Sequence, residues 1–397
     1  MANIRINQNT LTAHQKGFSL VELLIAMAIG LILLTGMIAV FSGNKRSAEL
    51  NSAMSNIQEN ARFALTTLSK DIRMAGYQGC LDSRRGRMTV LAADAPVPQD
   101  GFHQNGKPKF NFNASMVTGA VVVTADNWSP EIPGGFEPPE DNPSIPGTDV
   151  LTVQYGDRVR STLPGPVGTA SEPSLSDPIV INEDLGIRTG DLVLIASCAN
   201  VDLIEVTAVA EDGNGQSLSH TAPRNRNGNL SAYYGLPNDI ANTRVMRFRS
   251  HVYYIGDTGL VNESGDSIRA LYQQSFPYND PANPPAELAQ GVENMRISYG
   301  LRQNNTLRYV SANDPVFEPA DIESIQIGLI MTSYERIAEQ EDTNVYVIAG
   351  QSIPPEAAAD SGLSHAQDRR YRLVFNTTVK VRNRRDEKIK FSQTANP

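Results

Sequence analysis

Histidine and cysteine are scarce in this chain of 397 residues, with five of the first and two of the second. No Cys-x-x-Cys pair occurs and the histidines are scattered, which argues against a zinc site, whose ligands come in closely spaced pairs. Also absent are His-Glu-x-x-His, a Gly-x-x-x-x-Gly-Lys-Ser/Thr phosphate loop, a Gly-x-Ser-x-Gly elbow and a Gly-x-Gly-x-x-Gly turn opening a helix. The commonest routes to metal, nucleotide and acyl chemistry are therefore missing, and neither catalysis nor a cofactor is expected. A basic excess is lacking too. The 34 Lys and Arg stand against 43 Asp and Glu, a net charge of −9, so no global positive field invites nucleic acid. No internal repeat is found, and no segment reads as a linker.

What the chain does have is one long apolar run. It opens at Lys16-Gly17-Phe18-Ser19-Leu20-Val21-Glu22 and continues to Phe41 with Glu22 as its only charge. A secretory signal is cut after its apolar core, at small residues, and the core is lost; here the natural cut, Gly17-Phe18, precedes it. As a helix, residues 18–41 are about 36 Å long, enough for a hydrocarbon core of about 30 Å. A carboxylate in such a segment costs about 2.5–3.5 kcal/mol on insertion scales, which asks for a partner or a task. A plain signal anchor with Glu22 near the interface is the simpler alternative, and it leaves Gly17-Phe18 unexplained.

Beyond a basic flank at Lys45-Arg46, Leu50, Ala53, Ile57, Ala61, Ala64, Leu68, Ile72 and Ala75 recur at steps of three and four, the spacing of one helical face. No proline interrupts residues 18–76. The pattern predicts one helix from Phe18 to about Ala75, roughly 85 Å by helical rise, stopped by Gly76 and Gly79. Core packing is the expected use of the Ile57–Ala75 stripe.

From Leu81 the signals become short strands between Pro- and Gly-rich loops. Strands are expected at 117–124, 150–155, 192–196, 204–209, 244–255, 323–331 and 371–381. In the fifth, Met246, Phe248, Val252 and Tyr254 share one face and Arg247, Arg249 and His251 the other, the alternation of a half-buried strand. His251 reads as a solvated residue. Glu211-Asp212-Gly213-Asn214-Gly215 lacks the spaced acids of a calcium loop and reads as a hairpin turn. Arg369, Arg370, Arg372, Lys380, Arg382, Arg384, Arg385, Lys388 and Lys390 form a basic stripe that could track phosphates; strand alternation and the interspersed Asp368, Asp386 and Glu387 favour a polar face instead.

The Gly17-Phe18 junction with Glu22 resembles the class III signal of type IV prepilins. Later stretches resemble landmarks of the PilW family of minor pilins: Arg73 to Cys80, Gly190 to Cys198, His251 to Ile255, Leu288 to Asn294 with Ser298-Tyr299-Gly300, Ile325 to Met331, and Asp368-Arg369-Arg370-Tyr371-Arg372 through Arg384. Ser197 departs from the acid that many members carry before that cysteine. The resemblance implies an α+β pilin-like fold, a long N-terminal helix packed on antiparallel sheet with an enlarged, loop-rich β region. It divides the chain into a leader 1–17, a membrane and filament-core helix 18–41, its amphipathic continuation 42–76 and a periplasmic β-rich domain 77–397, with a subdivision near 200.

On the same resemblance a prepilin peptidase cuts between Gly17 and Phe18, Phe18 is N-methylated, and Glu22 docks against the new amino terminus of a neighbouring subunit. A periplasmic domain suits a Cys80–Cys198 disulfide, which would stabilise by about 4–5 kcal/mol in the chain-entropy model; two buried free thiols are the alternative. Implied partners are other minor pilins and the major pilin, the peptidase, the assembly platform and ATPase, a tip adhesin and the inner membrane, with nucleic acid disfavoured. The implied role is priming of type IV pili, with residence at or near the tip. Rival readings are a J-type pseudopilin of type II secretion, a tip-displayed module binding DNA or surfaces, and a signal-anchored envelope enzyme.

Overall fold

A single helix, α1 (Leu20–Met74), carries the N-terminal part of the chain. The structure, a computed structural model, describes residues 19–80, 87–95, 116–125, 127–130, 132, 136–303, 306–317, 322–356 and 364–383. They divide into two compact units, one ending at Ala53 and the other starting at Met54. In the first, every large apolar side chain from Leu20 to Phe41 is exposed. In the second, Ile57, Ala61, Ala64, Leu68 and Ile72 are buried along one helical face, as their spacing requires. Gly76, at φ +74°, follows the helix end, in the left-handed conformation that glycine adopts without strain.

The rest is β structure. The strands are β1 (Arg87–Val90), β2 (Val117–Thr124), β3 (Asn127–Ser129), β4 (Asp149–Ser161), β5 (Ile179–Ile181), β6 (Leu192–Ala196) and β7 (Asn200–Glu205). They continue with β8 (Ala208–Asp212), β9 (Gly215–Ser219), β10 (Arg244–Val261), β11 (Ser267–Ser275), β12 (Ala286–Gln290), β13 (Val292–Gln303) and β14 (Thr306–Val310). The last are β15 (Ile322–Thr332), β16 (Tyr346–Ile348), β17 (Gln351–Ile353), β18 (Pro355–Glu356), β19 (His365–Ala366) and β20 (Arg372–Lys380). Sheet 1 has nine strands in the order β1-β7-β6-β10-β4-β2-β3, with β11 and β12 added along β10. Sheet 2 runs β14-β13-β15-β20 and sheet 3 runs β5-β9-β8. Sheet 2 is antiparallel throughout, and in sheet 1 only β1 and β7 run parallel.

The helix stripe shares one core with both large sheets: Leu151, Val153, Tyr253 and Ile255 from sheet 1, and Met295, Ile297, Tyr299, Ile325, Ile327, Leu329 and Val379 from sheet 2. The opposite face of sheet 1 is covered as well, with Val252, Tyr254 and Tyr272 packed under Ile132, Phe136 and Tyr278. The two sheets also interlock, because the Tyr299 hydroxyl stands where a Cβ on Gly119 would be, 1.8 Å from that position. Only glycine admits this approach.

Strands β4 and β10 form a long antiparallel pair that reaches Ser161 opposite Val245. Residues 162–243 are thus an insertion that leaves and re-enters at neighbouring points. The insertion builds β6 and β7 onto sheet 1 and adds sheet 3 over a core of its own, including Leu163, Ile179, Ile181, Leu218 and Tyr234. One expectation changes here. The strand expected at 204–209 is broken at Val206–Thr207, because β7 belongs to sheet 1 and β8 to sheet 3. A subdivision near 200 would cut between β6 and β7, which pair from Leu192↔Glu205 to Ala196↔Val201.

Candidate functional site

The helix is the candidate functional element, and its beginning, seat and end are each built differently. Gly17 and Phe18 lie outside the described residues. At the first turn the Glu22 carboxylate accepts a hydrogen bond from the Ser19 backbone N–H at 3.0 Å, one half of a capping box. The Ser-x-x-Glu spacing carries that signal in the sequence. The bond holds an exposed carboxylate at the helix N-terminus, where the helix dipole favours negative charge. Among the described residues one helix is long and apolar enough to cross a membrane, and none of its apolar window is buried.

The seat is fixed by charge as well as by packing. Arg247, Arg249 and His251 do share one face of β10, as alternation predicts, but their charges are matched within the protein, and the face is well covered at His251. Arg247 pairs with Asp191 at 3.5 Å, Arg249 with Asp157 on β4 at 2.8 Å, and His251 Nδ1 with Asp71 of α1 at 2.6 Å. Each rung reaches a different segment of the chain. The solvated reading of His251 is therefore wrong: its side chain is 12 % exposed, because both faces of the strand are covered. Asp71 also accepts from the Tyr253 hydroxyl at 2.6 Å. Burial works to raise the Asp71 pKa, and the bonds from His251 and Tyr253 with the imidazole charge outweigh it, holding the carboxyl below its usual range.

Sheet 2 is tied by a second network. Arg372 has no exposed side-chain surface and holds Glu293 through both carboxylate oxygens, Nε–Oε2 at 2.6 Å and Nη2–Oε1 at 3.0 Å. Its Nη1 meets Asp368 at 2.8 Å and Asp342 at 3.2 Å. Arg370 joins Asp368 and Glu293. The expected polar face of the last strand is thus partly a buried hub, and Arg370 and Arg372 have no charge to offer a phosphate. Arg384, Arg385, Lys388 and Lys390 lie outside the described residues. An open cavity of about 600 Å³ adjoins the hub, with Asp342, Arg370 and Arg372 in its lining. Between the sheets, Asp149 of β4 accepts from Arg296 at 3.0 Å and from the Ile297 N–H at 2.6 Å. Burial pushes its pKa up to about 6 against the pull of Arg296.

At the helix end three fastenings converge. The Asn383 amide donates to the carbonyls of Arg73, Met74 and Ala75 at 3.4, 3.4 and 3.2 Å, satisfying groups that a helix terminus leaves unpaired. The Gly76 N–H donates to Gln154 O and the Gly156 N–H to Tyr77 O, at 2.9 and 2.7 Å, so the chain leaves the helix as a rung beside β4. Cys80 and Cys198 are joined, with sulfurs 2.09 Å and Cα atoms 4.8 Å apart. Sequence reasoning had no means of finding Asn383. Among the described residues no cluster of three or more His, Cys, Asp and Glu is arranged to hold a metal.

Comparison with known families agrees with the two ends of the chain. Residues 252–383 match the type IV pilus-assembly protein W family, and residues 12–38 match the prokaryotic N-terminal methylation motif. The first spans the distal part of β10, all of sheet 2 and the Asn383 cap; the second spans the junction and the apolar half of α1. No curated protein and no solved structure matches the chain.

Proposed function

We propose that this PilW-type, prepilin-like minor pilin primes the assembly of type IV pili together with other minor pilins and stays at or near the filament tip. The observation that carries the reading is the conjunction on one helix of a methylation-motif segment, apolar and unburied, with a seat in a PilW-matched sheet. An apolar helix with nothing of its own to cover it suits a bilayer first and neighbouring pilin helices afterwards.

In this reading a peptidase cuts between Gly17 and Phe18, the Phe18 amine is methylated, and residues 77–397 face the periplasm. The Ser19–Glu22 bond aims the carboxylate at the end of the helix where a new amine would lie. Docking then exchanges that local partner for the cationic terminus of an adjacent subunit. Catalysis has no part in the role; the sheets supply subunit-specific contacts.

The test is deletion of the gene, scored for surface pili and twitching alongside protein secretion. Loss of pili with secretion intact is expected. Intact pili with failed secretion would turn the assignment to a secretion pseudopilin. Site-specific crosslinking from the domain in cells should capture other minor pilins.

A further inference from the structure

We propose that the Cys80–Cys198 bridge is a mechanical shunt, carrying tension from the end of α1 into the interior of sheet 1 and past the edge strand that the chain reaches next. The source of tension rests on the pilin reading: a subunit held by its helix in a filament is pulled through that helix.

The route of the load follows from connectivity. A pull along α1 is met first by the packed stripe Ile57 to Ala75 and by the Asn383 cap. Once these slip, the backbone rung at Gly76 and Tyr77 is loaded, then Cys80. The next described segment is β1, at the end of the strand order of sheet 1, which holds only four residues and has β7 as its one strand partner among the described residues. Its register begins at Arg87↔Asn200 and ends at Val90↔Leu203. Tension arriving at Arg87 falls on that first rung alone, then on the next, so the strand peels one rung at a time.

The bridge intercepts the load before Arg87. Cys198 sits in the turn between β6 and β7, and β6 pairs with β10 from Arg244↔Ala196 to Arg247↔Val193. Beyond β10 lies β4. A force entering at Cys198 is therefore shared by interior strands, whose rungs and cores on both faces must yield together. Residues 81–197, β1 included, lie inside the disulfide loop and drop out of the loaded covalent path. Both cysteines are exposed, so the bridge can be opened by reagent in the folded protein.

The test is force spectroscopy on full-length protein in detergent micelles, with handles on an azide-bearing residue at position 44 and on the C-terminus. In the C80S/C198S variant, β1 and the residues bonded beyond it should peel away as a separate step of at least about 50 Å, the reach of residues 81–95, before the interior strands of sheet 1 unfold and at lower force. The bridged protein should lack that step. Wild-type protein reduced with a phosphine while folded should show it too, which keeps the test valid if the variant folds poorly. If β1 is released only together with the interior strands of sheet 1, in the variant or in the reduced wild type, the proposal is overturned. A gene deletion that leaves pili unchanged would refute the pilin reading without altering the force traces.

Discussion

Arg372 and Glu293 face each other through two hydrogen bonds in a place that water does not reach, with Nε 2.6 Å from Oε2. The pair joins the start of β20 to the start of β13, strands that are not neighbours in sheet 2. Removing one member leaves the other as a buried, unmatched charge.

Arg372→Ala should therefore destabilise the domain by about 3–5 kcal/mol. Denaturant titration of the detergent-solubilised protein measures this, and a loss under 1 kcal/mol would show the hub to be dispensable. Lys380→Ala, on an exposed position of the same strand, should move stability by less than about 0.5 kcal/mol.

Asp71 makes an acid-side prediction. Its folded pKa lies below the usual carboxylate range, so its contribution is present above the unfolded pKa and is lost as pH falls through the folded one. Asp71→Asn should lower stability at neutral pH by about 2–3 kcal/mol, the worth of hydrogen bonds to a charged group. It should also flatten the stability profile below pH 4. An unchanged profile would remove the clasp between α1 and β10.

Asp149 runs the other way. With its pKa pushed up to about 6, the folded state binds the proton more tightly than the unfolded chain does. This group's contribution is then full below the unfolded pKa and falls as pH rises through the window from about 4 to 6, by roughly 3 kcal/mol. Asp149→Asn should abolish that slope. Stability measured at half-unit pH steps in both proteins decides it.

Glu22→Ala should leave processing at Gly17-Phe18 largely intact and impair incorporation into the filament. Mass spectrometry of the amino terminus reads the first, and pilin content of sheared pili reads the second. Because Glu22 also accepts from Ser19, Glu22→Gln separates the two effects: it keeps an acceptor for the N–H and loses the charge. Normal incorporation of the Gln variant would eliminate the docking role.

The sequence made the helix legible because its stripe is periodic and free of proline, and it placed β2 and β6 at their observed limits because turn residues bracket them. Alternation along β10 correctly grouped Arg247, Arg249 and His251 but misjudged what faces them. Period-two patterning says which residues lie together and not whether that side meets water. Their partners, Asp191, Asp157 and Asp71, come from a loop, a strand and the helix, so no local window contains the pairing. Arg372 was misread for the same reason: Glu293 is 79 residues away and the covering loop holds Asp342. The basic residues of a strand are uninformative until the acids of its neighbours are placed.

The Asn383 cap has a consequence for the order in which the molecule can be finished. The carbonyls it satisfies belong to Arg73, Met74 and Ala75, among the earlier residues to leave the ribosome, while the amide itself is made 308 to 310 positions later. Strands β13, β15 and β20, which line the helix seat, are also late. The helix is thus made long before its cap and the strands that line its seat, and closure of the domain waits on contacts between distant parts of the chain, which form slowly.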